Sequence, residues 1–243
     1  MIELDHHIRL SFLFGVILSF CTASHSLSQS SLPANTSSPF ESEVNALESS
    51  LLQSKLPTSP VVFYGSSSIR LWKSLQQDFS GYSVLNCGFG GSRLTDCIQY
   101  ANRLVIPRKP VAIVIYADDN DLAAGTPPKI VFQSFQQLFR IFRTYSSSIP
   151  IAFVSVKPSP ARLQYLENIF KFNKLVEDYL EAQPKTEYID ACSDMLGSNQ
   201  KPNPALFVPD QIHLNQAGYQ ILRRGIGDFL AEEFPKPSTK DSP

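Results

Sequence analysis

If the first 25 residues are removed or disordered, any imidazole chemistry in this chain has to be built around His213. The sequence holds four histidines, and His6, His7 and His25 all fall in its first 25 residues. His213 stands three residues after Asp210, a spacing from which a carboxylate reaches Nδ1 and leaves Nε2 free to accept a proton. Upstream, Gly65-Ser66-Ser67-Ser68 presents hydroxyls at a glycine turn, and Gly88-Phe89-Gly90-Gly91-Ser92 presents backbone N–H groups that no Cβ shields. Asp118-Asp119-Asn120-Asp121 adds a carboxamide among carboxylates. Hydroxyl, backbone amides, carboxamide, imidazole and carboxylate together are the inventory for acyl transfer by a serine nucleophile. With one histidine beyond residue 25, a multi-histidine metal site is excluded for that part of the chain.

These blocks need a scaffold that brings them to one place. Val61–Gly65, Val84–Cys87, Val111–Ala117, Ile149–Val156 and Thr186–Cys192 are short apolar, β-branched runs, the pattern of strands covered on both faces. Between them, Ile69–Phe79, Leu94–Val105, Ile130–Tyr145 and Leu163–Leu180 suit helices. A last helix, Gln216–Phe234, carries Tyr219, Leu222, Ile226, Phe229 and Leu230 on one face. Five such units predict a doubly wound, three-layer α/β domain, whose ligands bind beyond the carboxyl ends of the strands. Each chemical block follows a predicted strand or precedes the last helix.

FYGSSSIRLW, NCGFGGS, YADDNDLAAG and DQIHLNQAGY correspond, in order, to the four motif blocks of the SGNH (GDSL-type) hydrolases. The chain resembles that family over about Phe40–Phe234, and within it the bacterial branch similar to platelet-activating-factor acetylhydrolase-like members. The resemblance implies a flavodoxin-like α/β/α fold with a five-stranded parallel sheet, and hydrolysis of carboxylic esters without metal or other cofactor. It places Ser67 at the nucleophile, His213 at the general base and Asp210 at the carboxylate that orients it. The oxyanion donors it implies are the backbone N–H groups of Ser67 and Gly91 and the side-chain amide of Asn120. Each residue also has a purely structural reading. Ser67 can start a helix, Gly91 can permit a turn, and Asn120 can cap one. Ser66 and Ser68 read as turn serines, and Asn215 as the N-cap of the last helix.

Other conspicuous residues read as structural. Trp72 belongs to the core, and Arg70 either pairs with a carboxylate or faces solvent. Lys157-Pro-Ser-Pro-Ala-Arg162 reads as a rigid loop at the functional edge, with a solvated arginine or a contact to an anionic substrate. Phe207 and Leu214 flank the Asp–His pair and are candidates to line an acyl pocket. Cys87, Cys97 and Cys192 read as buried small hydrophobes.

The remaining chain sets location. Leu10–Cys21 is almost wholly apolar but too short to span a ~30 Å bilayer, which suits a signal peptide over residues 1–23 with cleavage after Ala23. The protein is therefore expected to be exported, periplasmic or extracellular, and an uncleaved segment would be its one membrane contact. Residues 24–39 form a Ser-rich linker, 40–235 the hydrolase-like domain, with a short amphipathic helix starting at Glu41, and 236–243 a polar tail. The chain is 243 residues long with a net charge of −1 and 43% hydrophobic residues. It can bury one sizeable core, and it lacks the basic excess of a nucleic-acid binder. A small-molecule or polysaccharide ester is the expected partner. Two other classes stay open: a binding protein that has lost turnover, and a flavodoxin-like phosphate or flavin binder. The first is motivated by Asp118, which replaces the first glycine of the family's Gly-x-Asn-Asp and brings a carboxylate toward developing negative charge. Asp118 is expected to reduce turnover without abolishing it. Replacing it, Asp118→Gly, should then raise kcat on a p-nitrophenyl ester, and an unchanged rate would remove the concern.

Overall fold

The computed structural model describes residues 38–53, 58–117 and 119–235. The apolar N-terminal run, the linker as far as residue 37, Asp118 and the polar tail from residue 236 lie outside the described residues. Five strands pair in parallel: β1 (Val61–Gly65), β2 (Val84–Gly88), β3 (Ala112–Tyr116), β4 (Ile151–Val154) and β5 (Thr186–Ile189), in the order β2-β1-β3-β4-β5. The helices are α1 (Glu41–Gln53), α2 (Ser67–Arg70), α3 (Leu75–Asp78), α4 (Leu94–Leu104), α5 (Asp119–Ala123), α6 (Pro128–Tyr145), α7 (Leu166–Glu181), α8 (Ala191–Asp194) and α9 (Gln216–Glu233).

Strand parity sorts the side chains into two cores. Val62, Tyr64, Ile113, Ile115, Ile151 and Phe153 face the layer of α1, α4, α6 and α7. Val61, Phe63, Ala112, Val114, Tyr116 and Val154 face α2, α3, α8 and α9. β1, β3 and β4 are buried at every position, as continuous apolar runs require. β5 is an edge strand with Glu187 exposed, so only part of its run is covered. Cys87, Cys97 and Cys192 are buried, as read from the sequence.

One predicted helix is two. The pattern over Ile69–Phe79 suggested a single element, yet the chain turns between α2 and α3. The turn lets Trp72, 2% exposed, put its ring against Phe63, Phe79 and Tyr219. Its Nε1 meanwhile donates to Asp78 Oδ2 at 2.7 Å, and Ser74 Oγ donates to the same oxygen. Core packing and a satisfied indole N–H outweigh the few helical hydrogen bonds given up.

The sheet order reverses direction between β1 and β3, and doubly wound sheets open a crevice at that switch point. Gly65 makes the crevice possible. Its φ is +142°, and a Cβ there would lie 1.8 Å from the Tyr116 carbonyl oxygen. Without one, the Ser66 N–H donates to that oxygen at 3.0 Å, while the Gly65 carbonyl accepts from Phe89 N–H at 3.0 Å. Gly65→Ala should therefore lower unfolding free energy by about 4 kcal/mol or more. Urea titration of the two proteins measures it, and a loss under about 1 kcal/mol would refute this account of the turn.

Candidate active site

The four blocks meet at the C-terminal edge of β1 and β3. Ser67 is the first residue of α2, with Ser66 as its extended N-cap. Its Oγ lies 3.1 Å from His213 Nε2. His213 Nδ1 lies 2.6 Å from Asp210 Oδ2, and Asp210 Oδ1 accepts the N–H groups of Ile212 and His213 at 2.8 and 2.9 Å. The hydrogen bonds from His213, side chain and then backbone, hold the exposed Asp210 carboxyl down at about 2. The imidazole is thus fixed at Nδ1 by an ionised acceptor, and Nε2 faces the serine.

Local chemistry explains why this loop keeps its shape. Val208 N–H donates to the His213 carbonyl, and Asn215 N–H to that of Leu206. Asn215 caps α9 by accepting from Gly218 N–H at 3.2 Å, while its Nδ2 donates to the Ala205 and Phe207 carbonyls. Tyr219 then ties α9 to α2 by donating its hydroxyl to the Ser68 carbonyl at 2.9 Å. Phe207 and Leu214, candidates for an acyl pocket, instead face each other across a β-bridge and are buried in the core beneath the loop. Their apolar side chains gain more from the α9-side core than from a solvent-facing cleft.

On the other side of Ser67 lie the amide donors. Gly91 has φ +71°, and the space where its Cβ would stand is open. Among the described residues, the backbone N–H groups of Ser67 and Gly91 donate to no acceptor. Asn120 Nδ2 donates to the Ser92 carbonyl at 3.0 Å, and its Oδ1 accepts from Arg162 Nη2 at 2.9 Å. The adjoining Gly90 N–H is held by Glu43 of α1 at 3.0 Å, and Arg70 approaches the same carboxylate at 3.5 Å.

A buried ion cluster underlies these groups, and the sequence reading did not find it. Asp119 Oδ2 lies 2.7 Å from Lys157 Nζ and 3.0 Å from Arg162 Nη1. Lys157 also reaches Ser68 Oγ at 3.2 Å and the Tyr116 hydroxyl at 3.1 Å, and its side chain is 1% exposed. Burial pushes the Asp119 carboxyl up, but Lys157 and Arg162 outweigh it and hold the group below its ordinary value. Burial likewise opposes the charge on Lys157, and Asp119 with Tyr116 overcomes that, so the ammonium is raised. Arg162 is therefore largely buried, its side chain 16% exposed, and engaged by Asp119 and Asn120. Opposite charges immediately after two neighbouring apolar strands, Asp119 after β3 and Lys157 after β4, were the available signal. Among the described residues, no three His, Cys, Asp or Glu side chains converge as a metal site.

Comparison with known proteins bears on the family and the fold. A family model described as GDSL-like Lipase/Acylhydrolase matches residues 58–221. A Streptococcus pneumoniae protein named for platelet activating factor superposes with a TM-score of 0.68 at 17% identity, covering 78% of this chain and 93% of its own. A GDSL-like lipase from Bacteroides thetaiotaomicron gives 0.65 at 22% identity, covering 79% and 97%. An acetyl-xylooligosaccharide esterase variant from Geobacillus gives 0.58 at 14% identity, covering 76% and 100%. At these identities the likeness is one of fold. No curated protein matches the chain.

Asp121 carries a pH dependence of its own. It is 4% exposed and accepts the Leu94 N–H at the start of α4 at 3.0 Å. Burial nevertheless pushes its carboxyl from 3.8 to about 6. Between those values the folded chain binds more protons than the unfolded one, so stability falls as pH rises through the window. Asp121→Asn keeps an acceptor for Leu94 and removes the buried charge. It should raise unfolding free energy by about 1–3 kcal/mol above pH 6 and add nothing below pH 4. Denaturant titrations at both ends of the range check this, and a gain equal at every pH would contradict it.

Proposed function

The chain belongs to the GDSL-like lipase/acylhydrolase family, and from that premise we propose that it is a serine ester hydrolase with Ser67 as its nucleophile. The observation that carries the proposal is the unbroken line of contacts from Ser67 Oγ through His213 to Asp210, at 3.1 and 2.6 Å. Ser67 Oγ attacks the ester carbonyl carbon as His213 Nε2 takes the hydroxyl proton. The carbonyl π pair moves to oxygen, and the Ser67 and Gly91 N–H groups with Asn120 Nδ2–H hold the oxyanion. As the tetrahedral species collapses, the bond to the alcohol oxygen breaks and His213 returns its proton to that oxygen. Water then repeats the sequence on the acyl-enzyme and releases the acid, restoring Ser67. Asp210 stays ionised throughout and holds the imidazole in the useful tautomer.

For substrate, an ester with a short acyl group is the best-supported reading. Phe207 and Leu214 are packed into the core and leave no apolar tunnel of their making for a long chain. Several neighbours in fold are named as acetyl or carbohydrate esterases, which favours the same size of acyl group. The alternative of a phosphate or flavin binder leaves the Ser67–His213–Asp210 line without a purpose. The Leu10–Cys21 run supports export of the enzyme.

A fluorophosphonate should label the mature protein, and labelling should vanish in Ser67→Ala and His213→Ala. Hydrolysis of p-nitrophenyl acetate should exceed that of long-chain esters, and Asn120→Ala should lower kcat by about 10²–10³. A folded wild-type protein that takes no label would overturn the proposal and leave the binding-protein reading.

A further inference from the structure

Asn120 cannot position itself. An isolated carboxamide rotates about its Cβ–Cγ bond and presents either end to a ligand. Here both ends are assigned by chemistry alone: an arginine only donates and a carbonyl only accepts. Arg162 Nη2 at 2.9 Å therefore fixes the oxygen, and the Ser92 carbonyl at 3.0 Å consumes one of the two Nδ2 hydrogens. One N–H remains, in a plane and direction set by those two partners. A cationic donor on Oδ1 also polarises the amide and makes the remaining N–H a stronger donor.

Arg162 is itself engaged on both sides of its fork, by a hydrogen bond at Nη2 and by charge alone at Nη1, which has no hydrogen-bond partner among the described residues. Nη1 lies 3.0 Å from buried Asp119, which Lys157 also binds. The backbone of the Arg162 turn is fixed as well, with Arg162 N–H donating to the Ser159 carbonyl and Ala161 N–H to the Gln211 carbonyl in the loop that carries His213. Lys157 completes the frame by touching Ser68, the residue after the nucleophile.

Resting on the ester-hydrolase reading above, we infer that Arg162 is a positioning residue for that reaction, aiming the Asn120 N–H at the oxyanion through its bond to Oδ1, with Asp119 as its anchor. A planar fork is needed, because one nitrogen sits against the Asp119 charge while another donates to Asn120. A lysine has a single nitrogen on a flexible stem and cannot keep that rigid geometry.

The test is a cycle of Arg162→Lys, Asn120→Ala and the double variant, read by kcat and KM on p-nitrophenyl acetate and by thermal midpoint. Arg162→Lys keeps a cation beside Asp119, so the fold is preserved. It should lower kcat by about 10–100-fold with KM nearly unchanged. In the Asn120→Ala background the same substitution should cost less than about 3-fold, because the group it acts through is gone. Added guanidinium should restore part of kcat to Arg162→Ala but none to the double variant Arg162→Ala with Asn120→Ala. An equal loss in both backgrounds would overturn the inference, as would an effect confined to KM, which would make Arg162 a substrate contact. An unchanged Arg162→Lys beside an active wild type would sink the inference alone. A wild type that neither turns over nor takes a fluorophosphonate would remove the ester-hydrolase reading beneath it.

Discussion

The site depends on one close backbone approach. β1 ends on Gly65, whose missing Cβ leaves room for the last carbonyl of β3, and that carbonyl takes the Ser66 N–H. The bond fixes the start of α2 relative to the end of β3, and hence Ser67 relative to Asn120. The opposite neighbour, β2, is locked through Phe89 N–H to the Gly65 carbonyl, which brings the Gly90–Gly91 turn alongside. Three of the four chemical blocks are thus placed by main-chain hydrogen bonds among three adjacent strands. Side chains add what strands cannot reach, with Glu43 on the Gly90 N–H and others fixing the His213 loop and the direction of Asn120.

Two aspartates with the same charge do opposite work because their surroundings differ. Asp210 is exposed and ionised by hydrogen bonds from His213 and Ile212. A pair so open to water adds little to stability, of order 0–1 kcal/mol, and its value lies in orienting the imidazole. Asp119 is buried against two cations. Removing one partner of such a cluster typically costs about 3–5 kcal/mol, since a charge is left without compensation. The exposed carboxylate can serve a base that changes protonation state. The buried one suits a frame that must not.

Much of this was legible in the chain. Apolar runs near Val61, Val111 and Ile149 read, with two others, as strands covered on both faces, and the structure places the fully buried β1, β3 and β4 there. The three-residue step from Asp210 to His213 predicted contact at Nδ1, and the atoms lie 2.6 Å apart. Legibility failed where a residue's fate is set across the fold. Trp72 reads as one more apolar position in a helix, yet its indole N–H and its fit beside Tyr219 break that helix. Lys157–Arg162 reads as a rigid loop with its arginine solvated or touching an anionic substrate, because nothing local shows that Asp119 waits across the sheet edge. Periodicity reports which face a side chain takes. It does not report which charge meets it there.

The same limit reshapes the concern about the acidic block Asp118–Asp121. Counted along the chain, three carboxylates crowd a carboxamide proposed to hold an oxyanion. In the fold, Asp119 is countered by both Lys157 and Arg162, so that cluster carries one net positive charge. Asp121 is driven by burial toward its neutral form and spends a lone pair on Leu94. The Asp119 charge is thus answered by two cations, while that of Asp121 meets one backbone N–H and is disfavoured by burial. The Asp119–Lys157–Arg162 cluster lies in a medium of low dielectric, where each charge counts for more than in water. The charge around Asn120 is set by residues that follow β4 as well as by the acidic block itself, which no count along the chain reveals.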